Sequence, residues 1–309
     1  MIYVSDQGHS SLERAVRIAG MPPGSVRKIP SDDDFKIDMD VLRQAVSEDR
    51  SAGLHSLCVC GNAGATNTGA IDPLDAMADL CREEGLWFHV DGAYGGFAIL
   101  APGAQGAFRG MERADSLTLD PHKWLFQPYE TGCLLVRDTR ILEDAFRILP
   151  EYLQDTALGE EHVNFADRGI QLTRGFRALK VWMSIQTLGM RAFREGIQDG
   201  LELAMRAAGF IEDSETLELT GPASLGIVCF RFRPPAAKLI GAELEGLNQG
   251  IQDEIVRSGL AMMSSTRLRG EFSLRLSILN YRSTWTDVRE TLEAIEGIGG
   301  RLADAREGA

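Results

Sequence analysis

Long apolar runs are missing from this sequence. No stretch of about 18 apolar residues occurs, so no membrane span is expected. The opening residues, MIYVSDQGHSS, lack a basic stretch followed by an apolar core, which argues against a signal peptide. Cysteine is sparse: Cys58, Cys60, Cys81, Cys133 and Cys229 form no CxxC pair and no disulfide framework. An odd count in an acidic chain of this size points to a reducing, cytoplasmic setting. The five histidines are dispersed, with no HExxH or similar spacing, so no metal is expected. Basic clusters are absent too. Lys and Arg number 32 against 45 Asp and Glu, they are scattered, and the net charge of −13 argues against a nucleic-acid partner. Internal repeats and low-complexity tracts are also lacking.

What remains is an ordinary globular composition, 44% hydrophobic and 25% charged, over 309 residues. That length suits a large domain with a smaller one. Short apolar runs alternate with amphipathic stretches through the first half. Ser10 and Glu13 fit a capping box that opens a helix, with Leu12, Ala15, Val16 and Ala19 on one face and Gly20 ending it. A strand is predicted at 26–29, a helix over 38–52, a buried strand over 54–60 and a helix over 72–84. Further strands are predicted at 86–90, 116–119 and 132–136. Strands separated by helices imply parallel pairing in an α/β sheet. Ligands of such sheets sit beyond the carboxyl ends of the strands, which directs attention to His9, Thr66, Asp91 and the segment 120–123.

The rhythm breaks between 140 and 173, where the polar stretch 154–168 predicts an exposed loop. A long helix follows from 174 to 207, interrupted near Gly189. Strands at 225–232 and 272–279, with helices at 242–258 and 285–298, predict a compact α+β unit. The polar tail after Gly300 is expected to fray.

Two residues carry chemistry as a pair. In LWFHVDGAY (86–94), Asp91 ends an apolar run, where a carboxylate is costly without a charged or hydrogen-bonded partner. By itself it could cap the turn before Gly92. In LDPHKW (119–124), Lys123 follows a second apolar run, in a setting that favours a neutral, imine-forming amine. By itself it could be a surface lysine after Pro121. Together they match the needs of pyridoxal 5'-phosphate chemistry, a lysine for the Schiff base and an acid against the pyridine nitrogen. The Gly-rich segment 64–69 has no GK[ST] and is no P-loop.

The segments SDQGHSSLERA (5–15), GATNTGAID (64–72), WFHVDGAYGG (87–96), ADSLTLDPHKW (114–124) and RGFRALKVW (174–182) resemble, in order and spacing, the motifs of group II pyridoxal-phosphate-dependent amino-acid decarboxylases. The likeness is to the aromatic-amino-acid type, and runs from residue 1 to about 190. It implies a fold type I enzyme of aspartate aminotransferase-like architecture. A mainly parallel large domain would span 1–180 and a smaller α+β domain 181–309. By the resemblance, Lys123 would hold the cofactor and Asp91 would pair with its pyridinium nitrogen. Ala93 would pack on one ring face, and His9 would stack on the other and handle protons. Thr66 would reach the ring hydroxyl, and His122 the phosphate. Tyr152, in LPEYL, would return a proton after carbon dioxide leaves, from a loop that reaches the partner subunit, so a homodimer is implied.

The family's N-terminal portion, which supplies phosphate donors and pocket residues, has no counterpart here, so the chain is expected to be a fragment or an inactive subunit if nothing precedes it. Asp120 stands where some relatives have asparagine near the phosphate. It is expected to orient the Lys123 turn rather than bind. The HKW tryptophan, Trp124, and the overall likeness favour an aromatic L-amino acid as substrate. The competing enzyme reading is an aldehyde synthase on the same scaffold, against which His9 and Tyr152 stand. His89 is expected to be structural.

Overall fold

The computed structural model describes residues 1–148, 163–234 and 239–307. The first half builds a six-stranded sheet. Its strands are β1 (Ile2–Ser5), β2 (Val26–Ile29), β3 (Cys58–Asn62), β4 (Trp87–Gly92), β5 (Ser116–Leu119) and β6 (Cys133–Val136), in the order β2-β1-β3-β4-β5-β6. The first five pair in parallel. β6 runs antiparallel to β5, so the sheet is mainly parallel, as expected. The segment 120–132 between them carries the lysine turn and no crossover helix, so the chain can only fold back beside β5.

Helices α1 (Ser10–Ile18), α2 (Met39–Ser51) and α3 (Leu74–Glu84) connect these strands. Asp38 caps α2 by accepting from the Asp40 and Val41 amides, and Gly85 ends α3 in the left-handed conformation at φ 61°. α1 begins differently from the sequence expectation. His9, extended at φ −67°, ψ 139°, is its cap and accepts from the Ser11 amide, so no Ser10–Glu13 box forms. The Glu13 carboxylate is instead taken by Arg17 at 2.5 Å and Lys28 at 3.5 Å. No residue of α1 is fully buried.

One face of the sheet is a dense core. Tyr3, Val59, Phe88 and Val90 pack there with Leu42 of α2 and Leu74, Met77 and Leu80 of α3, all essentially without solvent contact. Burial of each such side chain contributes roughly 1.5–3 kcal/mol. Strand β4 alternates: Phe88, Val90 and Gly92 are buried, while Trp87, His89 and Asp91 on the opposite face are half-buried. That second face carries the chemistry.

α4 (Arg140–Phe146) precedes the long helix α5 (Arg177–Glu212), which breaks at Gly189 with φ 75°, ψ 152°. Only the half after the break buries a stripe, including Phe193, Ile197, Leu203 and Ala207. The remainder forms a four-stranded antiparallel sheet in the order β7-β8-β10-β9. Its strands are β7 (Leu217–Leu219), β8 (Ile227–Phe232), β9 (Ser264–Leu268) and β10 (Glu271–Ser277). Against it lie α6 (Gly241–Ser258) and α7 (Trp285–Glu307), closing a second core of Phe230, Phe232, Leu247, Ile251, Leu292 and Ile295. The tail does not fray after Gly300. α7 runs on to Glu307 because Ala303 is buried and Arg306 donates to the Glu243 carbonyl.

Candidate active site

Parallel pairing aligns Asn62 of β3 with Asp91 of β4, and Asp91 with Thr118 of β5. Three polar side chains thus stand in a row at the carboxyl ends of adjacent strands. They line a cavity of about 290 Å³ together with His9, Thr66, His89, Ala93, Tyr94, Asp120 and Lys123. The structure therefore gathers five of the sequence-selected residues, His9, Thr66, Asp91, Ala93 and Lys123, around one space.

Lys123 sits on the turn after β5, closed by its amide donating to the Asp120 carbonyl at 2.9 Å. Its Nζ lies 2.9 Å from Asp120 Oδ2. Asp120 thus orients the lysine, as the sequence suggests. Asp91 Oδ1 accepts from the Ala93 amide at 3.0 Å, which fixes the carboxylate at the start of the turn. His9 reaches the cavity from the tip of α1, its Nδ1 2.8 Å from Ser11 Oγ.

His122 is not among the cavity-lining residues. Its Nδ1 is engaged by the Thr131 backbone, 2.7 Å from the carbonyl and 3.0 Å from the amide nitrogen, and its Nε2 is 3.8 Å from Asp120 Oδ2. Tyr152 lies outside the described residues. Trp124 is fully buried and stacks on Tyr94 with centroids 5.5 Å apart, and it is not among the residues lining this cavity.

Sequence reasoning missed the floor of the site. His89, two residues before Asp91 on the same face, has Nδ1 2.8 Å from Ser116 Oγ and Nε2 3.3 Å from Thr118 Oγ1. Burial pushes its imidazole below the ordinary range, against a smaller opposing pull from Asp91. Asn62 donates through Nδ2 to Asp72 Oδ2 at 2.9 Å. Asp72 is itself buried and accepts from the Asn62 and Ile37 amides, and burial raises its carboxyl to about 6. The sequence reads His89 as structural and Asp72 only as the end of a motif, and Asn62 lies in none; cross-strand register brings Asn62 beside Asp91, and the alternation of β4 puts His89 on the same face.

No group of three or more His, Cys, Asp or Glu side chains able to hold a metal occurs among the described residues. The donor set does fit the ring and aldehyde of a flat pyridine aldehyde. It offers one amine, one carboxylate on the neighbouring strand end, a small residue at 93, and a glycine, Gly64, whose φ of 103° lets the backbone turn beside the cavity. A mainly parallel sheet with a lysine turn at its carboxyl edge and a smaller antiparallel sheet beyond is the fold type I architecture.

The pyridoxal-dependent decarboxylase conserved domain matches residues 1–233. The chain belongs to that family. It is 40% identical over 300 residues to an aromatic-L-amino-acid decarboxylase of Bacillus atrophaeus, covering 96% of this chain and 62% of the relative. It is 33% identical to a phenylacetaldehyde synthase of Petunia hybrida, covering 90% and 56%. Among solved structures, Oryza sativa TDC with PLP and tryptamine superposes with a TM-score of 0.92 at 31% identity, covering 98% of this chain and 63% of that one. The chain thus spans about three fifths of the length of these relatives.

Proposed function

We propose that this chain carries the catalytic half of a pyridoxal-phosphate-dependent α-decarboxylase that converts an L-amino acid, of the aromatic class, to its amine and carbon dioxide. The carrying observation is that Asp91, at the carboxyl end of β4, and Lys123, on the turn after the neighbouring β5, line one cavity. When bound, the cofactor supplies an electron-accepting ring conjugated to the substrate's α-carbon. Lys123 supplies the amine for covalent attachment, and its ion pair with Asp120 aims that amine into the cavity. Asp91 holds a proton on the ring nitrogen opposite. Ala93 leaves one ring face open to close packing. His9, tethered at Nδ1, has Nε2 left to move a proton at the α-carbon, and Tyr152 is the second donor assigned to that step. Thr66 is assigned to the ring hydroxyl, and His122, outside the cavity lining with its Nδ1 held by the Thr131 backbone, is left without a cofactor contact. The aromatic class rests on the Bacillus relative.

An aldehyde synthase is the second reading, favoured by the Petunia relative. The two separate in one assay. The complete gene product, loaded with pyridoxal phosphate and offered a panel of L-amino acids, should release carbon dioxide and amine in equal amounts. Hydrogen peroxide formed in step with lost amine would select the synthase, and no carbon dioxide from any amino acid would defeat both.

A homodimer completes the proposal. The half of α5 before Gly189 and the segment leading to it expose Leu172, Phe176, Trp182, Met183 and Leu188, each more than half accessible. Exposed large apolar side chains gathered in one stretch of chain fit contact with a second copy. Trp182→Glu should shift sedimentation from dimer toward monomer; an unchanged profile would remove this surface from the interface. All five cysteines are unpaired, which suits the cytoplasm, and no described helix is long and apolar enough to cross a membrane.

A further inference from the structure

The loop that carries Thr66 braces only its own base. The Ala65 amide donates to the Ala70 carbonyl at 2.8 Å, and the Gly69 amide to the Ala65 carbonyl at 2.7 Å. At the tip, the carbonyls of Thr66 and Asn67 are met from the other sheet. Arg275, on β10, donates from Nη2 to the Thr66 carbonyl at 2.5 Å and from Nε to the Asn67 carbonyl at 3.1 Å. Its remaining Nη1 bonds Ser264 Oγ at 3.0 Å. No carboxylate among the described residues forms an ion pair with this guanidinium, in a chain where many other arginines have one. Cys229, the cross-strand partner of Arg275, also reaches the Asn67 carbonyl, at 3.4 Å. Ser224 Oγ donates to the Gly69 carbonyl at 2.8 Å.

We infer that Arg275 is a positioning residue for the cofactor cavity. Two donors of one rigid guanidinium hold two successive carbonyls, which fixes the backbone of Thr66 in two directions and keeps its side chain at the cavity. Lysine has a point charge and cannot reproduce both bonds with the same geometry. The four-stranded sheet thereby sets part of the site without lining it. This role rests on the reading of the cavity as a pyridoxal-phosphate site, and it acts through Thr66.

The test compares the parent chain with Arg275→Met, Arg275→Lys, Thr66→Ala and the Arg275→Met/Thr66→Ala double variant. In cofactor-free protein, Arg275→Met should raise hydrogen exchange at the amides of Ala65 and Gly69, the bonded amides of this loop, by about tenfold, the scale of a lost charge-assisted bond, while the amides of β10 stay protected. The dissociation constant for pyridoxal phosphate, read by absorbance, should rise by about tenfold, with Arg275→Lys in between. The double variant should bind no more weakly than Thr66→Ala alone, because the arginine acts through that residue. Unchanged exchange at Ala65 and Gly69, or losses that multiply in the double variant, would overturn the inference. Arg275→Lys keeps the charge and carries the same comparison should Arg275→Met not fold. A parent chain that binds no pyridoxal phosphate overturns the cofactor reading. Loop exchange, which needs no cofactor, tells that failure from failure of the clamp.

Discussion

At the carboxyl ends of β3, β4 and β5 the six-stranded sheet presents Asn62, Asp91 and Thr118 to a cavity, whereas the four-stranded sheet packs Phe230, Phe232 and Leu274 into a core and lines no part of that cavity. The difference follows from strand direction. Parallel strands bring all their carboxyl ends to one edge, where loops can collect polar groups. Antiparallel strands alternate their ends, so no edge gathers them. Chemistry should therefore be lost by substitutions at the first sheet's edge with little change in stability, and stability by substitutions in the second sheet's apolar core with little change in chemistry, Arg275 on its outer face being the exception.

The largest effect belongs to Lys123→Ala. Turnover should fall on the order of 10³-fold or more, as when a covalent-catalysis group is removed, and no borohydride-reducible link to the cofactor should form. Stability should move by less than about 1 kcal/mol, since only a partly exposed pair with Asp120 is lost. A reducible imine surviving in this variant would show that the lysine is misassigned. Phe230→Ala is the converse. With Phe230 fully buried, the cavity it leaves should cost about 3–5 kcal/mol in urea unfolding. Cofactor attachment at native temperature should persist; its loss without destabilisation would break the division between the sheets. Asp91→Ala comes next, with turnover down roughly 10²–10³-fold, the scale of losing one electrostatic partner at the reacting centre. Activity equal to the parent would remove Asp91 from the ring nitrogen.

The asymmetry also explains what could be read from the sequence. Asp91 and Lys123 were legible because each ends its own apolar run, and the Gly189 break because a glycine interrupts a long amphipathic pattern. Asn62, Thr118 and His89 were not, because their relevance depends on strands lying side by side, which linear spacing does not encode. β7 has three residues and β9 reads SSTRL, too short or too polar to register as strands. The reversal of β6 and the continuation of α7 past Gly300 depend on tertiary contacts, which override local signals. Arg275 was invisible for the same reason: its partners at 66 and 67 lie in the other sheet's loop.

Asp72 sharpens the comparison, because it is a buried residue of the loop between β3 and α3 that supports the first sheet's edge through Asn62. Its carboxyl is raised from 3.8 to about 6, chiefly by burial. Below about pH 4 both the folded and the unfolded carboxyl keep their proton, and the contribution to stability is full. Between pH 4 and 6 the unfolded chain releases that proton while the folded chain retains it. Stability is then lost as pH rises, by up to about 1.4 kcal/mol per pH unit. Above about 6 both forms are ionised and the loss stops growing. Asp72→Asn removes this titration, and its own pH-independent cost cancels when slopes are compared. Urea midpoints for parent and variant at pH 4.5 and 6.5 share every other carboxylate, so the difference between their slopes isolates this one. A parent that loses no more stability than the variant over that interval would mean the three N–H donors around Asp72 offset its burial, and that the support beneath Asn62 is ionised throughout.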